Sequence, residues 1–509
     1  MKRKTRVGKV ILVGGGPGDP GLLTLKGREV LQEAEVVVYD WLVGPGLLEL
    51  APHAEKIFVG KKGGTRYIEQ GAINRMLLRL ARRGKNVVRL KGGDPFLFGR
   101  GGEEASFLAK HRIPFEVVPG VSAGTGVPVY AGIPLTDRRL SSEVTFVTGH
   151  EQDRRGLVSP ASTSRVDWKK LAGLGGTLVS FMGVKNLGRI VQELRNSGKP
   201  RRTPVAVIEW GTLSHQRVVT GTLEDIVKKC RRARIDSPAL TVFGEVVKLR
   251  KTLDWFGRKP LYGKKVLVTR ARAQASGLVR KLRERGADVV EFPTIEILPP
   301  SHPETIDREI ARLGEYDWAV FTSVNGVRFF FERMKILRKD ARIFAGTRVA
   351  AIGEKTAEAL EERGIRADWV PPEFTSASLF QSLKLKNEIL GKKFLLARAD
   401  IAPPDFKRFL EKEGGKVVEI EAYRTRPTGR IKDWPDQKFD YITFTSSSTV
   451  KNFFELIPRG LRKKIRSRFV TIGPVTSRTL RGYGFRPDRE ARKHTIEGLI
   501  EALENGGPK

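Results

Sequence analysis

Cysteine is nearly absent: Cys230 stands alone in 509 residues. That excludes an internal disulfide and any cysteine-rich metal site. Histidine is scarce as well. The six histidines are scattered without paired metal-ligand spacing, so no metal is expected. No apolar run approaches the ~18 residues of a spanning helix. The amino terminus is basic, but the apolar stretch at 7–16 is too short for a secretory signal and runs into glycines. It reads as a first strand, and a cytoplasmic protein without a membrane partner is expected. Acidic residues are in deficit: 57 Asp and Glu face 93 Lys and Arg, a net charge of +36. Nucleic acid is the usual reading of such a balance. However, the basic residues run along the whole chain, with one dense run at 459–468. A polyanionic small molecule would suit a basic cleft equally well. A basic proteome or a thermophilic source would account for the charge with no partner at all.

Glycine is plentiful, with 54 residues, and many close short apolar runs. Val87-Val88-Arg89-Leu90 reads as a strand that breaks into Gly92-Gly93-Asp94-Pro95. A second cluster, Gly99-Arg100-Gly101-Gly102, precedes Glu103-Glu104, which open a helix. Such a break is a tight turn or a ligand loop, since α/β proteins bind ligands at the carboxyl ends of strands. The pattern recurs after the runs at 7–13, 56–59, 115–118 and 144–148. The first βα turn fails the dinucleotide fingerprint: after Gly14 and Gly16 the third glycine position holds Asp19, and Pro17 sits inside the loop. Only Asp40, near the place of a ribose-binding acid, speaks for a nicotinamide cofactor. Further strands are expected at 177–182, 204–208 and 239–243, separated after 205 by turns rather than long helices.

A boundary falls near 248–263, where charges, Pro260 and two glycines interrupt the pattern. The remainder repeats itself. Asp317 with its apolar run and Thr322-Ser323 matches Asp440 with its run and Thr445-Ser446. Val349 to Gly353 matches Val470 to Gly473, and Lys265 to Ala271 resembles Lys393 to Ala399. Two similar α/β lobes follow, the first of them discontinuous.

The stretches 14–20, 22–26, 36–40, 60–62, 89–104, 119–123, 132–136, 146–150 and 181–183 resemble uroporphyrinogen-III C-methyltransferase over about residues 8–254. Residues 264–503 look like uroporphyrinogen-III synthase, on the repeat, the Thr-Ser loops and Tyr423-Arg424. The resemblance implies a tetrapyrrole-methylase two-domain α/β fold, followed by a two-domain α/β synthase-like fold with an internal repeat. Expected boundaries are 1–150 and 151–255 for the methylase domains, 256–263 for a linker and 264–509 for the synthase. Its lobes would be 264–297 plus 430–509, and 298–429.

Carried over by motif, S-adenosylmethionine would be held by Pro17, Gly92, Gly93, Asp94, Leu97, Ser122, Ala123, Met182 and Gly211. Ser122 stands where the family usually has Thr, and Leu97 where Ile is common. The family's proposed proton acceptor maps onto Asp40 and its donor onto Lys61. Asp40 could equally cap a loop, Lys61 could hold a substrate carboxylate, and Met182 could be core. Tyr423 matches a position suspected of assisting water loss, against a buried core tyrosine. Thr322, Ser323, Thr445, Ser446 and Ser447 could hold substrate carboxylates, or cap helices. The implied substrates are hydroxymethylbilane and uroporphyrinogen III, the product precorrin-2, and the by-product S-adenosylhomocysteine. A homodimer through the methylase half is implied, and no nucleic acid partner is expected. Two other readings compete: a methylase of the same superfold acting on RNA, and a nonenzymatic tetrapyrrole-binding regulator.

Overall fold

The computed structural model describes residues 7–44, 46–60, 68–149, 166–270, 272–373, 375–428 and 438–505. Lys61 and the polar stretch 151–165 lie outside them. Among the described residues, no helix is long and apolar enough to cross a membrane. None of their His, Cys, Asp and Glu side chains cluster as a metal site. The chain forms two compact units, Met1–Lys265 with Lys281–Asp288, and Val266–Arg280 with Val289–Lys509.

The first unit opens with five parallel strands: β1 (Val10–Gly14), β2 (Val36–Tyr39), β3 (Glu55–Phe58), β4 (Val87–Lys91) and β5 (Phe115–Val118). Their order is β3-β2-β4-β1-β5. Helices cover a parallel sheet on both faces, hence the short unbroken apolar runs of the inner strands β1 and β2. The helix Gln70–Arg82 buries Ile73, Leu77, Leu78 and Ala81 along one face, against Val10, Val38 and Val87. Because all five strands run one way, the loops that follow them share one edge.

The second sheet holds β6 (Val144–Thr148), β7 (Thr177–Phe181), β8 (Pro204–Glu209), β9 (Arg217–Thr222) and β10 (Ala239–Phe243). Its order is β6-β7-β10-β8-β9, parallel only between β6 and β7. Strand β8 is buried at every position, which its apolar run anticipates. Strand β9 is a half-exposed edge, and its mixed composition gives no strand signal. The helix Ile226–Arg232 lies between β9 and β10, so turns alone do not separate these strands.

Two expected boundaries move. Strand β6 pairs with β7, so the change of domain comes before Val144 rather than at 150. The stretch 256–263 is no free linker, because Phe256 and Leu261 are buried. The Phe256 ring packs on Tyr130 and Tyr262. Val127, Ala131 and Ile133, which follow the first sheet, join one core with Val179, Ala206, Ile208 and Val242 of the second.

The second unit carries two further sheets. Its strands are β11 (Lys265–Val268), β12 (Asp288–Glu291), β13 (Ile295–Leu298), β14 (Trp318–Phe321), β15 (Arg348–Ala351) and β16 (Lys393–Ala399). Strands β17 (Lys416–Pro427), β18 (Tyr441–Phe444), β19 (Arg468–Thr471) and β20 (Arg489–Glu490) complete it. The orders are β12-β11-β18-β19-β20 and β13-β17-β16-β14-β15. The repeat is therefore structural: β11-β18-β19 in one sheet corresponds to β16-β14-β15 in the other. Even the pairing of Val470 with Arg489 has its counterpart, a bridge between Ala350 and Trp369. The lobe edge expected at 297 also moves. Strand β13 pairs antiparallel with the end of β17, so the crossing falls between Glu291 and Ile295.

Candidate active site

The loops after β1, β4 and β5 meet at the shared edge of the first sheet. Gly16 and Gly93 exchange backbone hydrogen bonds, at 3.2 Å and 2.7 Å. A methyl group on Gly120 would stand 2.8 Å from the Gly14 Cα and closer still to the Gly93 carbonyl. Three backbones thus touch where only glycine fits. Asp94 locks them: its Oδ2 accepts from the Gly120 N–H at 3.0 Å and its Oδ1 from the Phe96 N–H at 2.8 Å. Ser122 caps the helix Ala123–Tyr130, its Oγ accepting from the Gly124 N–H.

The second sheet closes the cleft with the loops after β7 and β8. Asp19 N–H donates to Thr212 Oγ1 at 3.0 Å, and Tyr130 O–H donates to Asp19 Oδ2 at 2.6 Å. Burial, and then the adjacent Asp19, raises the Tyr130 pKa above its ordinary value, so this donor stays protonated. Gly211 packs so closely on Val127 that a side chain there would overlap it. Strain marks the same place. Nine described non-glycine residues have positive φ, and five of them, Phe98, Arg100, Met182, Trp210 and Thr212, lie on these loops. Such residues gather at ligand clamps. Rings bridge the loops: Phe98 lies 4.8 Å from Phe181, and Trp41 lies 5.1 Å from Trp210. Met182, Phe96 and Phe98 are nonetheless exposed. Exposed apolar side chains beside packed main chain fit an adenosyl sulfonium ligand, which needs an apolar wall and backbone partners.

Beneath β2 and β4 lies a buried ionic cluster. Asp40 Oδ1 accepts from the Leu42 N–H at 3.1 Å, and its Oδ2 faces Arg89 Nη2 at 3.2 Å. Arg89 Nε donates to Glu104 Oε1 at 3.1 Å, and Lys91 Nζ sits 3.2 Å from Glu104 Oε2. The Arg89, Lys91 and Glu104 side chains are 4%, 6% and 0% exposed, against 26% for Asp40. Burial, then the Arg89 charge, pushes the Lys91 pKa below its ordinary value, and Glu104 opposes both.

In the second unit the hydroxyl loops stand at matching strand ends. Thr322 and Ser323 follow β14, and Ser323 Oγ caps the helix Val324–Ile336 by accepting from the Gly326 N–H. Its Oγ also lies 3.0 Å from the Tyr423 hydroxyl. Tyr423 is buried, its ring 6.2 Å from Phe329 and nearly parallel to it. Thr445 and Ser446 follow β18. Ser446 forms a capping box with Thr449, and Ser447 Oγ donates to the Val475 carbonyl at 3.4 Å.

A family model for tetrapyrrole (corrin/porphyrin) methylases matches residues 9–227, and one for uroporphyrinogen-III synthase HemD matches residues 276–501. The porphyrin biosynthesis protein HemD of Ruminiclostridium josui is 38% identical over 98% of this chain and 98% of its own length. The chain belongs to that family. Its amino half is a tetrapyrrole methylase and its carboxyl half a uroporphyrinogen-III synthase. The S-adenosyl-L-methionine-dependent uroporphyrinogen III methyltransferase of Methanosarcina barkeri is 52% identical over 48% of this chain and 94% of its own. A solved uroporphyrin-III C-methyl transferase from Thermus thermophilus, complexed with S-adenosyl homocysteine, is 42% identical. It covers 48% of this chain and all of that one, with a TM-score of 0.41. Both family models are of tetrapyrrole enzymes, so an RNA methylase or a nonenzymatic regulator is not favoured.

The methylase half gathers Pro17, Gly92, Gly93, Asp94, Leu97, Ser122, Ala123, Met182 and Gly211 on its converging loops, with Asp40 at the end of β2. The Asp94 carboxylate ties loop to loop through the Phe96 and Gly120 N–H groups. Lys61 lies outside the described residues. The synthase half places Ser323 beside Tyr423, while the Thr445 to Ser447 loop makes its hydrogen bonds within its own lobe. Arg89, Lys91 and Glu104 escaped the sequence reading. Their one signal was two basic residues inside a strand whose five positions are all buried, which demands a buried acid nearby.

Proposed function

We propose that this chain carries hydroxymethylbilane through to precorrin-2. Its carboxyl half closes the linear tetrapyrrole to uroporphyrinogen III, with inversion of ring D and loss of water. Its amino half then transfers two methyl groups, to C2 and C7. The observation that carries the reading is the convergence of strained and glycine-packed loops on one cleft, in a chain that also holds the two-lobed repeat. Bound S-adenosylmethionine supplies a methyl group on a positively charged sulfur. The protein's part is orientation and a dry site. Main chain of the loops after β1, β4 and β5, with Met182 and the 210–212 loop, holds the donor. A substrate pyrrole carbon bonds the methyl group as the carbon–sulfur bond breaks, and that ring then loses a proton. Asp40, held at the rim by Arg89, receives it, and Lys61 holds a substrate carboxylate. Arginine and lysine hold the substrate carboxylates. A homodimer through the methylase half belongs to the same reading.

Mass spectrometry of products from hydroxymethylbilane tests the proposal. With S-adenosylmethionine the product gains two methyl groups, and without it uroporphyrinogen III accumulates. Ring closure that never leads to methylation would remove the first half of the reading. In the synthase half, Tyr423→Phe should slow cyclisation roughly 10²-fold, the lower end of acid–base contributions. Methylation of supplied uroporphyrinogen III should be unaffected. Parental cyclisation by this variant would leave Tyr423 a packing residue.

A further inference from the structure

We infer that Glu104 is a positioning residue for methyl transfer: it balances the buried charges of Arg89 and Lys91 and so fixes the Arg89 guanidinium against Asp40. The inference rests on the proposed role of Asp40. Glu104 itself lies on the helix Gly101–Lys110, with a fully buried side chain. Its Oε1 accepts from Arg89 Nε at 3.1 Å, from Lys91 Nζ at 3.3 Å and from Gln70 Nε2 at 3.0 Å. Gln70 is in turn fixed by Asn74 at 3.0 Å. Arg89 uses its remaining nitrogens on the Leu90 and Val38 carbonyls, at 3.0 Å and 3.4 Å, and on Asp40. Every polar end of the guanidinium is therefore assigned, and only one contact reaches the cleft.

The cluster contains two cations and two carboxylates. Buried charges persist when they are paired. Removal of Glu104 leaves Arg89 and Lys91 to compete for Asp40, the most exposed of the four. Removal of Lys91 leaves two carboxylates to compete for Arg89. Either change pulls the guanidinium out of its geometry at the rim. Removal of both leaves Arg89 and Asp40 as a neutral pair, still anchored by the two carbonyls. A simple packing role for Glu104 gives no such recovery, because the double change removes more native contacts than either single one.

The experiment measures kcat and KM for methylation of uroporphyrinogen III in the full chain. The variants are Asp40→Asn, Glu104→Gln, Lys91→Met and the Glu104→Gln/Lys91→Met pair, with S-adenosylhomocysteine affinity as the check on folding. Each single variant of the inner pair should lose roughly 10²-fold in kcat, the scale of a 1 Å misplacement. KM for S-adenosylmethionine should hold. The double variant should recover about 10-fold or more over either single one, the non-additivity of residues acting as a unit. If a single variant fails to fold, the double variant decides alone. Activity within about 10-fold of the parent supports the inference, and activity no higher than that of Asp40→Asn overturns it. Parental kcat in Glu104→Gln, or no recovery in the pair while Asp40→Asn is impaired, overturns this inference and leaves the role of Asp40 standing. Parental kcat in Asp40→Asn overturns both.

Discussion

Gly120→Ala should abolish S-adenosylmethionine binding and methyl transfer while leaving cyclisation by the carboxyl half intact. The added methyl would meet backbone alone: the Gly93 carbonyl, and the Gly14 Cα and carbonyl carbon at 2.8 Å. No side-chain tip is available to swing away. Gly14 ends β1 and is locked in register with Lys91 of β4. Gly93 is held by its two bonds to Gly16, and Gly120 itself by Asp94. The loops must therefore separate. Overpacking costs about 1–3 kcal/mol, which the fold can survive. A loop shift of about 1 Å, however, can cost on the order of 10²-fold in rate, and here three loops shift together. The control is Gly188→Ala, on an exposed helix face where the nearest atom is 4.0 Å away. That change should be neutral or stabilise by about 0.4–1 kcal/mol. Titration calorimetry with S-adenosylhomocysteine separates the two variants. Parental affinity in Gly120→Ala would show that the triple contact does not shape the site.

Phe444→Ala should destabilise the synthase half by about 3–5 kcal/mol, a large share of the 5–15 kcal/mol typical of a domain. Phe444 is fully buried at the end of β18. Its ring lies 5.3 Å from Phe453, edge to face, and 5.9 Å from Phe469, nearly parallel. Truncation leaves a cavity among rings that cannot collapse without leaving their own strand and helix. At about 2–4 °C per kcal/mol for a domain of this size, the synthase melting transition should fall by roughly 6–20 °C. Methyl transfer at room temperature should persist, because the methylase core lies in the other compact unit. Phe321→Ala, at the matching place in the repeat, should behave alike. Two calorimetric transitions, only one of them shifted, are the expected trace. A shift of both would mean that the halves do not melt independently.

Much of this architecture could be read from residues. The inner strands announced themselves because burial on both faces demands apolar runs, as in Val10 to Val13 of the parallel sheet and Val205 to Ile208 of the mixed one. The repeat was legible because the same strand, turn and cap chemistry recurs around Asp317 and Asp440. Strand β9 was not legible: an edge strand needs no apolar run, and Arg217 to Thr222 has none. The domain edges were misplaced at Val144 and at Ile295 for one reason. Strand membership depends on which partner a strand meets, and local pattern carries no such information. The linker reading at 256–263 failed because charge and glycine masked two buried residues, Phe256 and Leu261. In the candidate site, the glycines were visible as a class, but their duty as mutual contacts between loops was not. The ionic cluster stayed hidden since Glu104 lies on a helix, and only the fold brings it under β4.

The permuted order of the synthase lobes bears on how the chain is made. The inserted sheet draws all its strands from one continuous stretch, β13 to β17. The other is begun by β11 and β12 and completed only by β18 to β20. Thr443 Oγ1 donates to the Leu267 carbonyl across 176 positions of chain. During synthesis, at about 5–20 residues per second, strand β11 waits for many seconds with an unpaired edge while the inserted lobe forms. Unpaired edges of this kind invite association with other chains. Folding yield of the synthase half should thus depend on the speed of translation through the insert, a property that the finished structure no longer displays.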